Sequence, residues 1–155
     1  MTASGTLLAL MYDQVPQRST NAGASWTPVT ANDSGFTRLA FESVAVSASG
    51  SMMAATNKGL FRSTDDGANW SRISAGGALV QTALSAVLYS PSVNALVFAG
   101  DRGGNFYCSP DDGQNWSLVA TLSAPILGLR NQSGQVWAIT DGAGVGRFLN
   151  PTTCP

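Results

Sequence analysis

The sequence predicts an all-β fold assembled from a sheet-forming unit of about 45 residues. Three observations carry this expectation. First, an eight-residue motif recurs. Ser63-Thr64-Asp65-Asp66-Gly67-Ala68-Asn69-Trp70 returns as Ser109-Pro110-Asp111-Asp112-Gly113-Gln114-Asn115-Trp116. It returns more loosely as Ser19-Thr20-Asn21-Ala22-Gly23-Ala24-Ser25-Trp26, and the starts lie 44 and 46 residues apart. Second, the residues around each copy alternate apolar and polar over short runs bounded by turn residues, the period of strands. Third, helical periodicity is absent. Ala78–Tyr89 is the one stretch that could be drawn as a helix, and its second half, Leu84–Tyr89, fits the repeat register as an inner strand.

The elements follow in chain order. Ser4-Gly5-Thr6-Leu7-Leu8-Ala9 matches Ser49-Gly50-Ser51-Met52-Met53-Ala54, so the first unit is expected to open at its second strand, without an innermost one. In the next unit Glu42–Ala48 alternates as a strand and Ser49-Gly50 turns. Ser51–Thr56 is a second strand, Asn57-Lys58-Gly59 turns again, Leu60–Ser63 runs into the motif, and Trp70–Ile73 is the fourth strand. The third unit repeats this with Ala86–Ser90, Ala95–Gly100, Asn105–Ser109 and Trp116–Ala120. Pro125–Leu129, Gln135–Thr140 and Val145–Leu149 give three more strands, after which Asn150–Pro155 replaces the motif and the fourth strand. The unit has the length of a four-stranded propeller blade. The expectation is a single domain over 1–155 with about fourteen strands. These make about three and a half antiparallel blades, near 4–30, 39–75, 83–121 and 125–150. A closed ring needs at least four blades, or about 180 residues at this period, so the ring is expected to be incomplete unless chains associate.

Composition narrows the function classes. The chain has 155 residues, 44% of them hydrophobic, enough for one sizeable core. No apolar run approaches the roughly 20 residues of a membrane span. Only 11% of residues are charged and the net charge is -1, which offers no basic field for nucleic acid. Histidine is absent, removing the commonest general base, the commonest metal ligand and the Ser-His and Cys-His nucleophile pairs. Cys108 and Cys154 are compatible with one disulfide or with two free thiols.

The pattern Ser-x-Asp-x-Gly-x-x-Trp resembles the Asp-box, or BNR, repeat. That repeat occurs in sialidases, xyloglucanase-type glycoside hydrolases, sortilin-like receptor domains and photosystem II assembly factors. The resemblance implies that the box is the hairpin between the third and fourth strands of a blade, with a structural and not a catalytic duty. It carries over to Ser19, Asn21, Gly23 and Trp26, to Ser63, Asp65, Gly67 and Trp70, and to Ser109, Asp111, Gly113 and Trp116. The residue types agree with it: Ser and Asp bond to turn amides, Gly accepts positive φ, and Trp covers the hairpin. Asn21 keeps the hydrogen-bonding shape of Asp65 without its charge. Asp65-Asp66 or Asp111-Asp112 as metal ligands would supply one or two oxygens where a hard cation takes six or more, so no metal or cofactor is expected. Gly142-Ala143-Gly144-Val145-Gly146 lacks the glycine spacing and the helix of a dinucleotide fingerprint and reads as a blade turn. Sialidase-type chemistry needs an arginine cluster and a Tyr, Glu and Asp set. Here Glu42 is the one glutamate, Arg18 and Arg62 directly precede the box serines, and the arginine motif that opens sialidase domains is missing. No enzyme is expected.

The functional expectation is a non-catalytic structural or interaction module. It would self-assemble head-to-tail, or accept a strand-donating protein partner, through open blade edges, with Leu7, Leu8, Leu10, Val145 and Phe148 at the interface. The alternatives are a glycan-binding propeller stacking sugars on Trp137, Tyr89 or Tyr107, and a fragment of a sialidase- or xyloglucanase-like hydrolase. The expected location is extracellular, cell-surface or periplasmic.

Overall fold

The computed structural model describes residues 5–10, 14–31, 40–73, 76, 77, 79, 83–148, 153 and 154. Four sheets follow one another along the chain. The first is antiparallel and runs β1 (Leu7–Ala9), β2 (Gln17–Ser19), β3 (Thr27–Pro28). After the two-residue β4 (Thr30–Ala31) comes the second sheet, built from β5 (Phe41–Val46), β6 (Met52–Thr56), β7 (Gly59–Ser63) and β8 (Asn69–Arg72). A second short strand, β9 (Gly76–Gly77), leads to the third sheet. That sheet contains β10 (Leu84–Tyr89), β11 (Val97–Asp101), β12 (Asn105–Ser109) and β13 (Asn115–Thr121). The last sheet is β14 (Ile126–Gln132), β15 (Gln135–Thr140) and β16 (Val145–Phe148). No helix occurs among the described residues, and Leu84–Tyr89 is a strand in the register the repeat requires.

The all-β expectation holds, with two corrections. The described residues form sixteen strands where about fourteen are expected, and among them the two inner sheets have five strands each. The additions are β4 and β9, which pair in parallel with the outer strand of the following sheet, Thr30 opposite Asn69 and Gly76 opposite Asn115. Each link therefore docks on the strand that carries the next motif tryptophan. The expected start at Ser4 and the expected strand end at Leu149 lie outside the described residues.

The inner strands β5, β10 and β14 lie side by side, and an apolar layer fills each gap between sheets. Leu8, Val15 and Val29 meet Met52, Ala54, Phe61 and Trp70 between the first and second sheets, where Trp70 stands edge-on to Phe41 at 5.3 Å. Met53, Ala55 and Leu60 meet Val97, Ala99, Tyr107 and Trp116 between the second and third. Phe98 and Phe106 meet Ile126, Leu129, Val136 and Ala138 between the third and fourth. Strands β6 and β11 are buried at every residue because sheets cover both faces; β15 alternates because one face is covered.

Candidate functional site

The three motifs close equivalent hairpins. In the second sheet the Ser63 hydroxyl donates to Asp65 Oδ1 (2.8 Å) and accepts from the Gly67 amide (3.0 Å). Asp65 accepts from the Asn69 amide (2.9 Å) and from Asn69 Nδ2 (2.7 Å), and Trp70 Nε1 donates to the Gly67 carbonyl (3.1 Å). Ser109, Asp111, Gly113, Asn115 and Trp116 repeat this network bond for bond. In the first sheet Asn21 Oδ1 takes the carboxylate's place, accepting from Ser19 and from the Ser25 amide at 2.9 Å each, while its Nδ2 donates to Ser25 Oγ. The turn needs two successive residues with positive φ, 61° and 80° at Asp66 and Gly67, 59° and 86° at Asp112 and Gly113. A side chain at Gly113 would also collide with Met53 Cε at 2.6 Å, so this glycine meets both a conformational and a packing demand. Desolvation pushes the Asp65 and Asp111 carboxyls up. The hydrogen bonds from Asn69 and Ser63, and from Asn115, Ser109 and Gln114, outweigh it and hold both below the ordinary 3.8.

The second aspartate of each motif serves a different purpose. Arg18, one residue before Ser19, reaches the next sheet and donates Nε to the Asp66 carbonyl (2.8 Å), with its Nη2 3.4 Å from the carboxylate. The Thr6 hydroxyl bonds the same carboxylate. Arg62, one residue before Ser63, pairs through Nη2 with the Asp112 carboxylate, which also accepts from the Tyr89 hydroxyl at 2.7 Å. At the corresponding place before Ser109 stands Cys108, joined by a disulfide to Cys154 with Cα atoms 5.6 Å apart. Two successive sheet joints thus carry an ion pair, and at the third the equivalent position is tied by the disulfide to Cys154, which lies beyond the last strand. Sequence reading missed Asp66 and Asp112 as joint residues; the available signal was the arginine that precedes two of the three motif serines.

Few polar groups are left for chemistry. Asp101 accepts from the amides of Gly103 and Asn105, from Asn105 Nδ2 and from the Tyr107 hydroxyl (3.0 Å). Burial, with Asp101 beside it, pushes the Tyr107 hydroxyl up to about 12, and burial beside Asp112 raises Tyr89 as well. Tyr89 and Tyr107 are therefore core residues with occupied hydroxyls, not stacking platforms for sugars; Trp137 is half-buried. Glu42 pairs with Arg102 at 3.1 Å. Among the described residues no three His, Cys, Asp or Glu side chains converge to hold a metal.

The end sheets differ from the inner ones. Trp26 is 42% exposed, whereas Trp70 and Trp116 are 0% and 3%. In the last sheet Leu127, Ile139 and Val145 are exposed. Of the residues expected at an interface, Leu10 and Val145 are exposed and Leu7 is half-buried. Leu8 departs from that expectation: alternation turns it inward against Gly67 and the core of the second sheet. The Phe148 side chain lies outside the described residues.

The DUF6242 beta propeller domain family matches residues 4–127. A xyloglucanase of Hypocrea jecorina (strain QM6a) is 30% identical over 106 residues, 62% of this chain and 12% of the relative. An ancestral GH74 enzyme superposes with a TM-score of 0.74 at 16% identity, covering 95% of this chain and 21% of that one. YCF48 bound to D1 peptide superposes with a TM-score of 0.71 at 19% identity, covering 94% and 48%. The chain thus spans about an eighth of the curated relative, and the structural likenesses speak for the fold alone.

Proposed function

The chain belongs to the DUF6242 β-propeller domain family, and from that premise we propose that it is a non-catalytic interaction module built from Asp-box blades. One observation supports this above the others. Asp65, Asp66, Asp101, Asp111, Asp112 and Glu42 are all engaged with turn amides, hydroxyls or arginines, which leaves Asp141, exposed in the β15–β16 turn, as the remaining described carboxylate. Glycoside hydrolysis ordinarily takes two carboxyls facing one bond, a pair the described carboxylates do not offer. What it does offer is backbone. The outer edges of β1 and β16 pair with no strand among the described residues and are templates for a strand of another copy or of a strand-donating protein. That YCF48 is seen with a bound peptide agrees with a protein partner. The disulfide agrees with work in an oxidising compartment outside the cytoplasm.

A second reading, a segment of a xyloglucanase-like hydrolase, draws on the 30% identity to that enzyme. One assay separates the two. Xyloglucan and sialoside substrates should give no turnover above blank, while amide exchange along Leu7–Ala9 should slow as protein concentration rises. Reproducible hydrolysis that is lost in Glu42→Gln would overturn the non-catalytic reading.

A further inference from the structure

The register of the hairpins shows what each open face is built to meet. Ala55 stands opposite Leu60, Gly100 opposite Phe106, and Ile139 opposite Val145. One step along, Met53 pairs with Arg62, Phe98 with Cys108, and Trp137 with Arg147. Trp137 and Ile139 therefore hold the places of Met53 and Ala55 and of Phe98 and Gly100, the positions through which one sheet packs on the next. Met53, Ala55 and Phe98 are 0–1% exposed, while Ile139 is 37% and Val145 56% exposed. The opposite face follows the same logic. Leu7 and Ala9 match Met52 and Ala54, and Trp26 matches Trp70 and Trp116, residues that in the inner sheets are covered by the preceding sheet.

We infer that the Trp26, Leu7 and Ala9 face of one copy docks on the Trp137, Ile139 and Val145 face of a second copy, repeating between chains the sheet-on-sheet joint that already occurs three times within the chain. This deepens the proposed interaction module and rests on that reading. Two points favour a second copy as the occupant. The two faces are the complementary halves of a joint this chain makes with itself. They lie at opposite ends of the sheet series, so the contact is heterologous and two copies close it twice. The joint between copies is apolar. Ala22 occupies the motif position held by Asp66 and Asp112, so the first sheet offers no carboxylate to an arginine across the contact.

The experiment is light scattering of the 155-residue chain on a sizing column across a dilution series, with tryptophan emission followed in parallel. The expected result is a dimer whose stability is indifferent to salt and whose emission shifts to the red on dilution as Trp26 and Trp137 meet water; the red shift should shrink in Trp26→Phe and be lost when Trp137→Phe is added. Ile139→Glu and, separately, Leu7→Glu should each weaken association by about tenfold or more. Because each retains one intact face, mixing the two should restore association through a single joint, which also shows that each variant folds. A protein that stays monomeric into the sub-millimolar range overturns the inference, as does association that leaves the emission unchanged. Either failure leaves the hydrolysis assay, and with it the non-catalytic reading, standing or falling on its own.

Discussion

Each motif tryptophan donates its indole N–H to the carbonyl of its own motif glycine, at 3.1 Å for Trp26 and Trp70 and 2.9 Å for Trp116, so the local bond is the same three times over. The surroundings are not. Trp70 is sealed by Leu8, Val15 and Val29 from the sheet before it, while Trp26 has no described sheet on that side and is 42% exposed. Truncating a large buried aromatic removes the transfer energy of the ring and leaves a cavity, about 3–5 kcal/mol, so Trp70→Ala should cost that much. Trp26→Ala should cost less in the monomeric protein, because 42% of its surface already meets water. Urea melts of the two variants check this. Equal losses would mean that the indole stabilises its own hairpin and that the covering sheet adds nothing.

The hairpin itself was readable from the sequence because its parts are local. Ser63, Asp65, Gly67 and Asn69 meet within seven residues, and strands such as Asn105–Ser109 and Gln135–Thr140 carry their own alternation and their own turns. What spans two sheets was not readable. Strands β4 and β9 are two residues each, too short to show a period, and exist because β8 and β13 present a free edge to them. The sequence reading set Leu7 and Leu8 together at an interface; strand alternation turns them opposite ways, and which of them faces a neighbouring sheet depends on where that sheet lies. The hairpin also has a pH signature. The folded carboxyls of Asp65 and Asp111 sit below their ordinary value, so the stability they bring is present above the unfolded pKa and is lost as pH falls through the folded one. The melting temperature should hold steady down to about pH 5 and decline below about pH 4. Asp65→Asn with Asp111→Asn, which copies the neutral arrangement at Asn21, should flatten that decline. Identical acid profiles for the variant and the parent would show that other carboxyls govern it.

Across the whole chain, stability depends on how sheets are held to one another, and the three joints use unequal means. The Arg18–Asp66 and Arg62–Asp112 pairs keep roughly a fifth to a third of each side chain exposed, so water and salt screen them and each contributes at most about 1 kcal/mol. The Cys108–Cys154 bond ties residues 46 apart, and loop closure over that length removes about 4 kcal/mol of unfolded-state entropy. The sequence left this pairing open because spacing along the chain says nothing about the 5.6 Å between the two Cα atoms, which arises only when the sheets stack. Cys108 is almost fully buried among Phe98, Phe106 and Ala138, and the bond draws Cys154 onto that cluster. Reductant should therefore lower the melting temperature by an amount on the order of 10 °C, while added salt should move it hardly at all. Cys108→Ser with Cys154→Ser should start at the lower value and no longer respond to reductant, which separates the bond from any general effect of the thiol. If reductant leaves the parent's melting temperature where salt leaves it, the third joint is held by the packing of Ile126, Leu129 and Val136 against Phe98 and Phe106, and the covalent tie is redundant.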